Sequence, residues 1–344
     1  MERIKLRAWT FAVLVVIMTI LSAVACGDIS GSPGRQAPAQ GDDSWSKVTH
    51  SAQPTSDEPT PPSDSAPPTT TNESSPAIDS SPVPDPSRAL SSDPSAASDA
   101  MPIGDLPGWR QVFAEDFTEA DVATGTFPGP VYGSRWSENY VDGTPDTAAQ
   151  QQNKGQRTSG YYPSKVLSVH DGFLDMYLHS ENGVAMGAAP SPIVGGASQR
   201  PYNSQLFGRY SVRFKADALA GFKLAWLLWP DSKNWPQDGE IDFPEGDLSK
   251  VFYAAVHGVE GGVHRDDVLR PNEPFGDWHT ATTEWRADGV EFFLDGKSIG
   301  VSRRFTPNKP MHYILQTESC SPSCPLPETS GHVLVDWVAI WTKS

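Results

Sequence analysis

The chain has 344 residues, 38% of them hydrophobic and 20% charged, with a formal net charge of −16 at neutral pH. That length accommodates one large domain with appendages or two ordinary domains. The acidity argues against a nucleic-acid partner, because no basic stripe is present to displace phosphate counterions.

Arg3, Lys5 and Arg7 form a basic lead, Ala8 to Leu21 is almost wholly apolar, and Ser22-Ala23-Val24-Ala25-Cys26 follows with small residues. This is the pattern of a signal peptide, and its apolar run is too short for a good membrane span. A cysteine directly after the small residues resembles the lipobox of bacterial lipoproteins, which implies cleavage before Cys26 and a lipid anchor on its thiol. Plain secretion, with Cys26 inside the discarded peptide, is the alternative. Either way residues 1–26 send the mature protein out of the cytoplasm, anchored to the cell membrane or free in the wall or extracellular space.

Residues 27–104 consist mostly of Ser, Pro, Thr, Ala and Asp, with Trp45 as the only aromatic. Such a segment buries too little apolar surface to offset its ordering entropy and is expected to be a disordered linker. Its eleven acids against Arg35, Lys47 and Arg88 account for half of the net negative charge. At 3.1 Å per residue a tether of this length reaches about 230 Å when extended.

A domain is expected over 105–344, and its pattern is that of strands. "VFAEDF" (112–117) is a first candidate, and "DGFLDMYLH" and "LFGRYSVRFKA" (206–216) alternate in polarity. "ADGVEFFLDGKSIGV" sets two Asp-Gly pairs, at 288 and 295, between β-rich runs, the strongest local hairpin signal because both residues tolerate positive φ. "GHVLVDWVAIW" (331–341) reads as a last long strand. No segment shows a capped helical period, and no repeat of propeller-blade length is present. The reading is an all-β protein, an antiparallel β-sandwich or jelly roll.

Cys320 and Cys324, in "CSPSC", are too few for a closed zinc site. In an oxidising compartment they are expected to pair, shaping a loop. The short loop they close is worth only about 2 kcal/mol.

The chemistry concentrates in "NWPQDGEIDFPEGD" (234–247). On a strand Glu240 and Asp242 share one face while Ile241 and Phe243 share the other. A β-bulge at Pro244, which lacks an N–H, resets the register and brings Glu245 to the face of Glu240 and Asp242. Like charges in a row raise one partner's pKa so that it stays protonated beside an ionised neighbour. Glycoside hydrolysis needs that division, one carboxylate attacking and another protonating the leaving oxygen. The two glutamates lie four strand steps apart, roughly 13 Å between Cα atoms, so only long side chains close the gap. The plainer reading, a solvated acidic edge strand, fits poorly with the apolar far side of Ile241 and Phe243.

"GEIDFPE" resembles the signature of glycoside hydrolase family 16 in its laminarinase-like branch, Glu-aliphatic-Asp-x-x-Glu. The resemblance implies Glu240 as nucleophile, Asp242 as assisting acid and Glu245 as acid/base. "FGRYSVRFKA", "LAWLLWP", "DWHTATTEW", "VEFFLDG" and "VDWVAIW" follow in the family's order, over roughly residues 110–343. It implies a concanavalin A-like jelly roll with a concave substrate cleft, no cofactor, and in several relatives a structural calcium on the convex side. The chain departs from many laminarinases at "HYILQTES", where they carry an Asn-containing strand, and in residues 140–165, which replace their "NNELQYYT" segment. These departures open the choice of sugar, not the reaction type.

Trp235, five residues before Glu240, stands where the family keeps a sugar-stacking tryptophan, and Trp226 offers a second platform. His257 ends the neighbouring strand, and Gln316 and Glu318 share one face of theirs, all three candidates for sugar contacts. His264 and His279 show no ligand spacing, so no catalytic metal is assigned. The function expected is a retaining endo-β-glycosidase, a monomer hydrolysing β-1,3- or β-1,3-1,4-glucan. The alternatives are a β-galactan endohydrolase, a transglycosylase of wall or capsule polysaccharide, and, in another class, a sugar-binding module without chemistry.

Overall fold

A computed structural model of the chain describes residues 99–194, 204–320 and 322–344. The expected signal peptide, Cys26 and the expected linker up to residue 98 lie outside the described residues. No helix among those described is long and apolar enough to cross a membrane.

Two sheets build the sandwich. The larger, ten-stranded sheet runs in spatial order Lys297–Ser302, Gly289–Leu294, His279–Arg286, Gly208–Ala216, Gly331–Lys343, Phe173–Glu181, Val184–Gly187 and Ser159–Tyr161. Trp109–Glu115 also pairs with Gly331–Lys343, and Leu167–His170 with Phe173–Glu181. The smaller sheet has five strands, in the order Val263–Leu269, Tyr253–Glu260, Glu240–Asp247, Phe222–Pro230 and Met311–Ser319. Trp136–Ser137 and Ser191–Pro192 form a separate pair. Pairing is antiparallel except between Ser159–Tyr161 and Val184–Gly187. The helices are single turns, such as Thr147–Gln150. This is the antiparallel β-sandwich that the alternating sequence requires.

Alternation decides what lies between the sheets. Tyr210, Val212 and Phe214 of one strand meet Leu224, Trp226 and Leu228 of another, and Phe214 and Trp226 touch edge to face at 5.1 Å. Phe243 reaches across to Phe292 in the same way, at 5.5 Å. Of the two Asp-Gly pairs, Asp295-Gly296 has positive φ at both residues (48° and 76°), the type I′ geometry that joins two strands tightly. The pair at 288 behaves differently. Gly289 already pairs with Arg286 as the first residue of its strand, so Ala287 and Asp288 form the loop.

Residues 99–104, which composition groups with the linker, are held against the outer face of the larger sheet. Trp337 and Trp341 donate their indole N–H groups to the carbonyls of Asp99 (3.2 Å) and Gly104 (2.9 Å). Arg213 donates to the Asp99 carboxylate at 2.9 Å. Met101 and Leu106 pack on the cluster of Trp109, Trp337, Ala339 and Trp341, covering an apolar patch that would otherwise face water. Cys320 and Cys324 form a disulfide after strand Met311–Ser319. Gly187 brings its strand against that same strand, since a Cβ there would fall 2.2 Å from the Thr317 carbonyl oxygen.

Candidate active site

The acidic strand Glu240–Asp247 is central in the smaller sheet, and its register slips between Asp242 and Glu245 against both neighbours. Asp242 stands opposite Ala255 and Leu227, and Glu245 opposite Tyr253 and Ala225. Three steps on this strand therefore match two on each partner, which is a β-bulge containing Phe243 and Pro244. Its effect is the one the sequence demands. Ile241 and Phe243 enter the core between the sheets. Glu240, Asp242 and Glu245 share the concave face with Ala225, Leu227 and Ile314.

Each acid has its own partner. The indole N–H of Trp235 donates to Glu240 Oε2 at 2.7 Å. His257 Nε2 lies 3.1 Å from Asp242 Oδ2, while its Nδ1 lies 2.8 Å from Asp266 Oδ1. Lys223 Nζ lies 2.8 Å from Glu245 Oε1, and the Tyr253 hydroxyl also bonds Glu245.

These partners divide the protons. Burial and the nearby Asp242 charge push Glu240 well above the usual carboxylate range. Burial and Glu245 push Asp242 up to about 6, against the pull of His257. Burial also acts to raise Glu245, but Lys223, His257 and Tyr253 outweigh it and hold that carboxyl below its ordinary value. Burial disfavours the imidazolium of His257, yet the carboxylates of Asp242 and Asp266 hold it well above its ordinary value. Burial and mutual repulsion thus favour the protonated forms of Glu240 and Asp242, while Lys223 favours the ionised form of Glu245.

The other residues singled out from sequence are distributed unevenly. Trp235 lines the cleft beside Glu240, its ring near-parallel to that of Trp229 (centroids 6.3 Å apart, planes 14°). Gln316 is half-buried on the concave face, across Ala225 from Glu245. His257 faces Asp242 rather than open groove. Trp226 is a correction, because it is fully buried between the sheets. It alternates with Ala225 and Leu227, so the tryptophan of this strand on the concave side is Trp229. Glu318 is a second correction. It is 4% exposed, and its Oε1 accepts from the Tyr161 hydroxyl (2.6 Å) and the Thr147 hydroxyl (2.7 Å), which ties it into the wall of the fold. Sequence reading passed over Trp229, Lys223 and Tyr253. The same parity that aligned the acids marks them, since Lys223, Ala225, Leu227 and Trp229 lie on one face.

Two groups of three side chains are close enough to share a metal ion among the described residues: His257 with His264 and Asp266, and Glu240 with Asp242 and His257. Both belong to the smaller sheet.

The architecture is a two-sheet jelly roll whose smaller sheet carries three carboxylates on one face. Residues 179–338 match the sequence profile described as glycosyl hydrolases family 16, and the domain that contains them belongs to that family, a glycoside hydrolase. No curated protein matches the chain. Among solved structures it resembles SCLam, a non-specific endo-β-1,3(4)-glucanase of the same family, at 16% identity and a TM-score of 0.54, covering 73% of this chain and 98% of that one. The LamA catalytic domain from Zobellia galactanivorans is similar at 18% identity and a TM-score of 0.51, covering 67% and 97%. The laminarinase catalytic domain from Thermotoga maritima is similar at 18% identity and 0.52, covering 69% and 100%. At these identities the likeness is one of fold.

Proposed function

We propose that this domain is a retaining endo-β-glycosidase acting on β-1,3- or mixed β-1,3-1,4-glucan. The observation that carries this reading is the bulge, which turns Glu240, Asp242 and Glu245 toward one concave surface. In the first step Glu240 attacks the anomeric carbon, the glycosidic C–O bond breaks, and Glu245 gives its proton to the departing oxygen. In the second, Glu245 takes a proton from water, the water oxygen bonds the anomeric carbon, and Glu240 leaves. Asp242, backed by His257, tunes the charge between them. Trp235 and Trp229 offer ring faces for sugar C–H groups, and Gln316 supplies a hydroxyl contact. The chemistry needs no cofactor.

Hydrolysis needs Glu240 ionised and Glu245 protonated, opposite to the directions in which burial and Lys223 push the two carboxyls. The arriving sugar must therefore separate Lys223 from Glu245, and Lys223 has the Glu318 charge on its other side to receive it. The glucan assignment follows the activities of the similar endo-β-1,3(4)-glucanase and laminarinase. Release of new reducing ends from purified β-glucans, β-galactans and mucin glycans, with Glu240→Gln as control, tests it. Nuclear magnetic resonance of the first-formed anomer tests retention. Glucan binding without reducing ends would leave a sugar-binding module, and inverted anomers would remove Glu240 as nucleophile.

A further inference from the structure

On the concave face, at the edge of the smaller sheet, three side chains converge that glycosidic cleavage does not use together. His257 and Asp266 are register partners on adjacent strands, and His264 shares a face with Asp266 two residues away on the outermost strand. His264 Nε2 and His257 Nδ1 are 3.4 Å apart. Asp266 Oδ1 lies 2.9 Å from the first and 2.8 Å from the second.

That triangle has the dimensions of one face of a coordination tetrahedron. Zinc takes imidazole nitrogen at about 2.0–2.1 Å and carboxylate oxygen at about 2.0–2.2 Å, which places neighbouring donor atoms roughly 3.3–3.5 Å apart in a tetrahedron. The two nitrogens already have this spacing. The Asp266 oxygen needs to withdraw by about half an ångström, which its exposed side chain permits. Two imidazoles with one carboxylate leave a fourth position for water, the composition of an open zinc site, and imidazole selects zinc, copper or nickel over magnesium and calcium. On the side of the ring away from this triangle, His257 Nε2 lies 3.1 Å from Asp242 Oδ2, a charge contact that ties the site to the acid row.

We propose that His257, His264 and Asp266 form a binding site for a first-row divalent cation of the zinc class at the edge of the cleft. The ion clamps the edge strand Val263–Leu269 to its neighbour. It also fixes His264, whose ring packs at 4.7 Å on Trp235, the residue that bonds Glu240. The cleft wall and the acid row are thereby joined to one ion. The inference concerns binding and stands whether or not the sugar substrate is a glucan.

The untagged mature chain, stripped with chelator, is titrated with Zn²⁺ by calorimetry and with Co²⁺ by visible absorption. One ion per chain is expected, with the intense d–d bands of four-coordinate Co²⁺. His264→Gln and Asp266→Asn should each weaken binding more than tenfold, and His170→Ala, on the opposite sheet, should not. Thermal midpoints in chelator establish that the variants fold, and the stoichiometry of the parent chain decides the question even if one does not. No saturable binding at micromolar Zn²⁺ overturns the proposal, as does binding that survives both substitutions.

Discussion

Lys223 and Glu245 stand on neighbouring strands of the concave sheet with Nζ and Oε1 2.8 Å apart, and this contact sets the ionisation of one end of the acid row. A group that must deliver a proton loses its function once pH exceeds its pKa, and Lys223 holds the Glu245 carboxyl below its ordinary value. Removing the ammonium should raise that pKa and move the alkaline limb of activity upward. Lys223→Met keeps the stem and removes the charge. In a kcat/KM profile on the best glucan, the alkaline limb of this variant is expected at higher pH than that of the parent. A limb that stays in place would mean that Glu245 is not the acid.

The two glutamates should separate by substrate. Glu240→Gln is expected to lose roughly 10⁴-fold or more in kcat on every substrate, because in the proposed mechanism Glu240 alone forms the glycosyl intermediate. Glu245→Gln should lose about 10²–10⁴-fold on glucan, the usual worth of a general acid. On aryl glycosides, whose leaving oxygen needs no proton, its loss in the bond-breaking step should be far smaller. Burst kinetics on an aryl substrate check this, and equal losses on both substrates would contradict the assignment.

Two tryptophans on one strand should behave as opposites. Trp226 is fully buried against Phe214, so Trp226→Ala should destabilise the domain by about 3–5 kcal/mol, read from denaturant unfolding. Trp229 is only half-buried on the concave face beside Trp235. Trp229→Ala should raise KM for long glucans with a much smaller change in stability.

The strand Phe222–Pro230 also shows where sequence reading succeeds and fails. Polarity alternates strictly in "GEIDFPE", and the proline announces its own irregularity, so bulge, acids and buried far side were all legible. In "FKLAWLLWP" both faces are apolar except at Lys223, so nothing local says which tryptophan faces the cleft; only the register with Asp242 and Glu245 decides. Glu318 was legible as concave-facing, but its burial depends on Tyr161 and Thr147, more than 150 residues away in sequence. His264 showed no ligand spacing because its partner imidazole stands on another strand across a hairpin. Motif spacing within one segment cannot register such a cross-strand pair.

The same distant wall carries a pH dependence of stability. Asp146 is fully buried, and its Oδ1 accepts from the Ala149 N–H (2.8 Å) and the Ser159 hydroxyl (2.6 Å). Burial and the Glu318 charge push its pKa from 3.8 up to about 6. The folded state therefore favours the protonated form: the contribution is complete below about pH 3.8 and is lost as pH rises through about 6. The thermal midpoint should fall over that window. Asp146→Asn, which keeps a side chain able to accept both bonds but cannot ionise, should flatten the slope. Part of it should remain, because Asp242 titrates near the same pH. Differential scanning calorimetry between pH 4 and 7 reads the slope directly. An unchanged slope in the variant would show that the buried wall does not ionise there.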